Sequence, residues 1–142
     1  MSMTRRELSL LIPALAAPVA AQEKPAKPVL SAKTYGYGDL PVKQSETNQS
    51  RSVFDGLTHA NYPIELHITR LAPSKMPHPP HKHVNEEVIM IKTGTLEVTQ
   101  GGATSHANPG DVIYVQSNVE HGWKNIGAEP AEYFVMALGP KA

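Results

Sequence analysis

The chain contains no cysteine. That single absence removes thiolate nucleophiles, disulfides and cysteine-type zinc sites together. Nor is there an excess of charge, because 13 Lys and Arg balance 13 Asp and Glu. Without a positive field nothing gathers nucleic acid, so none is expected as a partner. Long apolar runs are missing too. The longest, Leu8 to Ala17, is broken by Ser9 and Pro13 and is too short to span a bilayer. No glycine-rich phosphate loop is present, and no segment after residue 30 has the period and length of a helix.

What is present at the start reads as an address. Thr4-Arg5-Arg6 precedes the short apolar run, and Pro18-Val19-Ala20-Ala21 follows it. A basic start, an apolar middle and a small-residue exit predict a secretory signal peptide over residues 1–21. Thr4-Arg5-Arg6-Glu7-Leu8 also resembles the twin-arginine export signal of bacteria. The protein is therefore expected outside the cytoplasm, in a bacterial periplasm, with no membrane insertion after processing. Residues 22–50 read as a linker and N-terminal arm: Gln22 to Lys33 is lysine- and proline-bearing, and Tyr35-Gly36-Tyr37-Gly38 has turn chemistry with two aromatic anchors. Ser45 to Gln49 is polar and expected to be exposed.

From residue 51 to 142 the pattern is of short strands between turns. With 13 prolines and 10 glycines, the chain favours a β-rich domain. Ser52-Val53-Phe54 runs into Asp55-Gly56, which has the chemistry of a turn. Ile64 to Thr69 alternates strictly, with Ile64, Leu66 and Ile68 on one face and His67 on the other. Either face of a barrel strand can be inward. Further strands are predicted at 87–91, 95–99, 112–115, 121–125 and 133–138, with a hairpin at Gln100-Gly101-Gly102. Seven or more strands at this spacing make an all-β sandwich or barrel.

Chemistry concentrates in Pro77 to Gly94, PHPPHKHVNEEVIMIKTG. His81 and His83 are two apart, so on an extended segment both imidazoles leave one face. Glu87 opens the next strand. Two imidazoles and a carboxylate form a metal-ligand set of mixed nitrogen and oxygen type, and His121 is the candidate for a fourth member. Trp123 and Asn125 share parity with His121, so each either lines the same cavity or belongs to the core. His78 stands three before His81, but Pro79-Pro80 breaks the parity, leaving it a rim or a pocket residue. Glu86 and Glu120, as neighbours of ligands, should point away, and His59 and His106 should be exposed.

These spacings resemble the cupins, small β-barrels of the jelly-roll kind. Their first motif, G-x5-H-x-H-x3,4-E-x6-G, is met by His81, His83, Glu87 and Gly94, with Lys75 in place of its opening glycine. Their second, G-x5-P-x-G-x2-H-x3-N, is met by Gly110, His121 and Asn125, with Gln116 and Asn118 at its proline and glycine. The resemblance runs from about Ser52 to Leu138, in the manner of small single-domain bacterial cupins. It implies that His81, His83, Glu87 and His121 bind one divalent transition metal (Fe, Mn, Ni, Cu or Zn) inside a jelly-roll barrel. Four ligands close a tetrahedral structural zinc site, whereas around an octahedral ion they leave two positions free. The function implied is a mononuclear metal-dependent enzyme of oxygenase type, with a small-molecule substrate and dioxygen at the open positions. Decarboxylase or isomerase chemistry is the variant. A non-catalytic module binding metal and small ligand is the alternative. Asn125, or His67 if inward, would assist proton movement. The resemblance further implies a homodimer, paired through sheet edges or through an exchanged strand from residues 35–45.

Overall fold

The structure is a computed structural model and describes residues 26–141. The leader expected over residues 1–21 lies outside them. After a short 3₁₀ turn (Tyr37–Asp39), nine strands follow: β1 (Val42–Gln44), β2 (Asn48–Leu57), β3 (Pro63–Leu71), β4 (Glu86–Thr93), β5 (Leu96–Gln100), β6 (Ala103–Ala107), β7 (Val112–Val115), β8 (His121–Asn125) and β9 (Ala131–Leu138). They build a six-stranded sheet, β1-β2-β3-β9-β4-β7, and a three-stranded sheet, β6-β5-β8. Every pair of strands is antiparallel. The core joins the two sheets: Leu71, Ile89 and Tyr133 from the large one meet Leu96, Val98 and Trp123 from the small one. This is a jelly-roll barrel.

Alternation explains most of the strands. In β9 every odd residue from Ala131 to Ala137 is buried and every even one is half-buried, the signature of a strand with one inward face. The β5–β6 hairpin turns on Gly101 and Gly102, both at positive φ (54° and 84°), as a two-residue loop between twisted strands requires. The strands expected at 64–69, 87–91, 95–99, 112–115, 121–125 and 133–138 all form, with ends within two residues of expectation.

Two readings are corrected. Asp55-Gly56 is not a turn, because β2 continues through it to Leu57. The turn comes later, where the Thr58 N–H donates to Tyr62 O (2.8 Å) and Asn61 takes a φ of 62°. Gly56 is needed for close approach instead: a Cβ there would stand 2.6 Å from Pro28 O. Residues 28–30 are laid along the end of β2, with Leu30 N–H donating to Leu57 O and Leu57 N–H to Pro28 O, both 2.8 Å. The part of the 22–33 stretch that is described thus has a fixed place, held by backbone pairing that its composition does not announce.

Ser45 and Glu46 are exposed as expected, and Thr47 to Gln49 are half-buried. Ser45 Oγ accepts from the N–H of Asn48 (3.0 Å) and closes a turn, after which Asn48 and Gln49 already belong to β2. The segment 35–45 packs on its own chain. Tyr37 Oη donates to Glu132 (3.0 Å), the Arg51 guanidinium lies 4.5 Å from the Tyr37 ring centroid, and β1 pairs with β2.

The register of β3 settles which of its faces is inward. Glu65, His67, Thr69 and Leu71 stand opposite Ala137, Val135, Tyr133 and Ala131, the buried residues of β9. Ile64, Leu66 and Ile68 therefore face outward. The barrel turns a polar stripe of β3 toward its own interior.

Candidate metal centre

Two strands that are not neighbours in sequence bring the histidines together. His81 and His121 form an isolated antiparallel bridge in which each N–H donates to the other's carbonyl (3.0 and 2.9 Å). Pro80 packs against Gly122, where a Cβ would stand 3.2 Å from Pro80 Cγ, so the chain carrying His81 lies close upon β8. His83 is fixed from the next loop: Asn118, at a φ of 60°, donates its N–H to His83 O at 2.8 Å. Asn118 thus supplies the left-handed backbone for which the motif has glycine. At the other departure Lys75 stands where the motif has glycine, and the left-handed residue is its neighbour Ser74 (φ 60°).

The tautomers follow from carbonyl partners. His83 Nδ1–H donates to Asn85 O (2.7 Å) and His121 Nδ1–H donates to Val119 O (2.9 Å). A carbonyl can only accept, so each Nδ1 carries the proton and each Nε2 keeps its lone pair for a cation. His83 Nε2 lies 3.5 Å from one Glu87 carboxylate oxygen and His121 Nε2 lies 3.6 Å from the other. The ligand atoms of His81, His83 and His121 are all within 4.8 Å of one another. Burial and then the neighbouring imidazoles of His78, His121 and His83 hold His81 below the usual histidine range, which keeps it neutral, the form that ligates.

The fit to a metal is tested by what lacks a partner. His81 Nδ1, His83 Nε2, Glu87 Oε2 and His121 Nε2 are all buried and hydrogen-bonded to nothing. Buried polar atoms are normally satisfied, and four such atoms on four converging side chains amount to a large unmet cost. A divalent cation among them removes it. Three neutral imidazoles and one carboxylate suit Fe, Mn, Ni, Cu or Zn, so the residues fit the implied ion.

Beside the four lies a cavity of about 320 Å³, lined by Glu65, His67, Asn85 and Ala137 as well as by His81, His83 and Glu87. Lys141, half exposed, stands where it meets solvent. A smaller cavity of about 160 Å³ adjoins His67 and Glu87 on their other side and reaches His78, Trp123 and Tyr133.

The remaining expected residues take distinct places. Trp123 is both core and wall: it is buried, donates Nε1–H to Tyr133 Oη (2.8 Å) and lies near-parallel to the His121 ring, 6.1 Å away. His78 is exposed at the rim, its ring edge-on to His81 at 4.3 Å. Asn125 is fully buried, and its amide serves the backbone alone. It donates to Leu71 O (3.1 Å) and Glu129 O (2.8 Å) and accepts from Gly127 N–H (2.9 Å), clamping the β8–β9 turn. Glu86 turns outward to accept from Tyr114 Oη (2.6 Å), while Glu120, His59 and His106 are exposed. Three site residues escaped sequence reasoning, namely Glu65, Asn85 and Lys141. Glu65 shares the alternation of His67 and was legible to that extent. Lys141 reaches the cavity only through the fold.

A family model for the cupin domain matches residues 67–137. Similar solved structures include an RmlC-like cupin from Shewanella frigidimarina, at 14% identity over 77% of this chain and 93% of that one, TM-score 0.63. The polyketide cyclase RemF from Streptomyces resistomycificus is 17% identical over 78% of this chain and 82% of its own, TM-score 0.63. A variant of the oxalate decarboxylase of B. subtilis is 16% identical over 81% of this chain and 32% of its own, TM-score 0.62. At these identities the likeness is one of fold. A search of the curated proteins gives no match.

Proposed function

The chain belongs to the cupins, and on that premise we propose that it is a mononuclear metal enzyme of oxygenase type acting on a small molecule. His81, His83, Glu87 and His121 hold the ion. The observation that carries the reading is the set of four buried, unpartnered ligand atoms, three of them on side chains (His81, His83 and Glu87) that line a cavity of about 320 Å³. An ion held by these four residues would supply Lewis-acid chemistry and open positions for a chelating substrate and dioxygen. The chain's own part is to place and to shelter. The carbonyls of Asn85 and Val119 hold two imidazoles in the ligating tautomer. Trp123, stacked near His121, and Val135 are buried and add apolar surface to the smaller cavity beside Glu87. Besides the four ligands, the titratable side chains on these two cavities are Glu65, His67, His78, Tyr133 and Lys141, and none of them forms a nucleophile–base pair of the hydrolase kind among the described residues.

The similar structures include a cyclase and a decarboxylase, so the fold alone does not choose the reaction. Protein loaded in turn with Fe(II), Mn(II), Ni(II), Cu(II) or Zn(II) is to be given enediols, catechols and flavonols while oxygen uptake and products are followed. The expected result is uptake with at least one redox-active ion and none with zinc. Product without uptake would shift the reading to decarboxylase or isomerase chemistry. Neither product nor uptake at full metal loading would leave the binding module.

A further inference from the structure

We infer that His67 takes the proton from a substrate hydroxyl as that hydroxyl binds at the metal site. The inference rests on the metal reading above and adds to it a named base.

The argument begins with the inverted polarity of β3. The inward row of this strand is polar, carrying Glu65, His67 and Thr69 into the barrel, while Ile64, Leu66 and Ile68 lie on the opposite face of the sheet, where Ile68 is still buried. Register then says what these face. Glu65 stands opposite Ala137, and Ala137 stands opposite Glu87, so the two carboxylates share a row with one strand between them. Strand spacing puts their Cα atoms roughly 10 Å apart. The residue between them is alanine, which leaves the row open as the floor of the cavity. His67 is the next inward residue on the strand, and with Glu87 it borders both cavities.

The orientation of His67 is set from behind. Its Nδ1 lies 3.5 Å from Glu65 Oε1, and the other Glu65 oxygen pairs with the Lys141 ammonium. The contact with His67, and then Lys141, bring the Glu65 carboxyl down to about 2 from an ordinary 4.5, against the burial that would raise it. An ionised carboxylate beside Nδ1 keeps the proton on that nitrogen and leaves Nε2 with a lone pair. The other charged or titratable groups lining this space are Lys141, already paired with Glu65, Glu87 on β4, Tyr133 on β9, and the imidazoles of His78, His81 and His83, while Asp55, opposite Glu65 on β2, is exposed and pairs with Lys27. Of these His81 and His83 belong to the metal, Glu87 likewise, and burial drives the Tyr133 hydroxyl well above its usual range, so that it stays protonated. His67 is left as the inward imidazole with a carboxylate behind it. The step balances simply: the O–H bond breaks, the proton goes to His67 Nε2, and the electron pair stays on the oxygen. The reverse transfer accompanies release.

The test uses zinc-loaded protein, which has no oxygen chemistry, and 4-nitrocatechol, whose absorbance separates its monoanion from its dianion. Calorimetry in buffers of different ionisation enthalpy counts the protons released on binding. Wild type is expected to release one proton fewer per probe than His67→Gln. The variant's affinity for the probe should fall by about tenfold or more, the order of what is lost with a hydrogen bond to a charged group. Glu65→Gln should move both quantities in the same direction and by less. Equal proton release in wild type and His67→Gln overturns the inference, as does loss of zinc from that variant, since the imidazole would then be serving the ion. Wild type that holds zinc and refuses the probe also overturns it and leaves the metal reading standing. Wild type that holds no zinc removes both at once.

Discussion

His83→Ala loses the metal and keeps the barrel. His83 lies in the loop before β4 and outside the core cluster, so little of the fold depends on its ring. What its removal ends is one of four converging ligand positions and the hydrogen bond from Nδ1 to Asn85 O. Changes to groups that merely orient a ligand weaken metal binding by about 10–100-fold, so removal of a ligand is expected to cost at least the upper end of that range. Elemental analysis after dialysis should find wild type near one ion per chain and His83→Ala near none, with unchanged far-ultraviolet circular dichroism. Added metal should raise the melting temperature of wild type only. Retained metal in the variant would place the ion elsewhere. His121→Ala is a poorer test, because His121 is 1% exposed within β8 and its loss also leaves a cavity.

Gly94→Ala lowers the stability of the barrel by about 2–5 kcal/mol, the sum of left-handed strain on a residue with a side chain and overpacking against a fixed neighbour. Gly94 has a φ of 84°, and a Cβ there would stand 2.6 Å from Ala131 Cβ and 2.7 Å from Ala131 Cα. Ala131 is wholly buried at the start of β9, so it has nowhere to move. Gly102→Ala supplies the control. Its φ is also 84° but nothing lies within 4 Å, so only the strain, about 1–2 kcal/mol, is expected. Urea denaturation of the two variants should separate them by 1 kcal/mol or more, on the order of one over-packed methyl. Equal losses would mean that the approach of β9 to the β4–β5 turn has been misjudged.

The two variants also divide what was legible in the sequence from what was not. Gly94 and the four candidate ligands, His81, His83, Glu87 and His121, stand at fixed spacings, and spacing survives without coordinates. Alternation of apolar and polar residues located β3 and β5, and turn residues such as Pro109-Gly110-Asp111 marked where β7 begins. Alternation could not say which face of β3 is inward, because the inward face is the polar one, and only the pairing with β9 decides that. The start of β2 was hidden for a related reason. Asn48-Gln49-Ser50-Arg51 has no apolar alternation, and its strand is fixed by partners on both sides, β1 and β3. Asp55-Gly56 misled because glycine serves close approach as readily as it serves turns, and Pro28 is far away in sequence. Asn125 shares the parity of His121 and Trp123, yet parity cannot show that its amide is already taken by three backbone groups. Lys141 meets Glu65 across 76 positions of sequence, which no local pattern reports.

The most direct measurement is X-ray absorption at the metal edge of wild-type protein loaded with iron(II) or cobalt(II), with the ion content of the same sample. One ion per chain, with three imidazole nitrogens, one carboxylate oxygen and further oxygens from outside the protein in its shell, is the predicted result. Fewer than three imidazoles, or a closed shell of four protein ligands with no place for a guest, would contradict it.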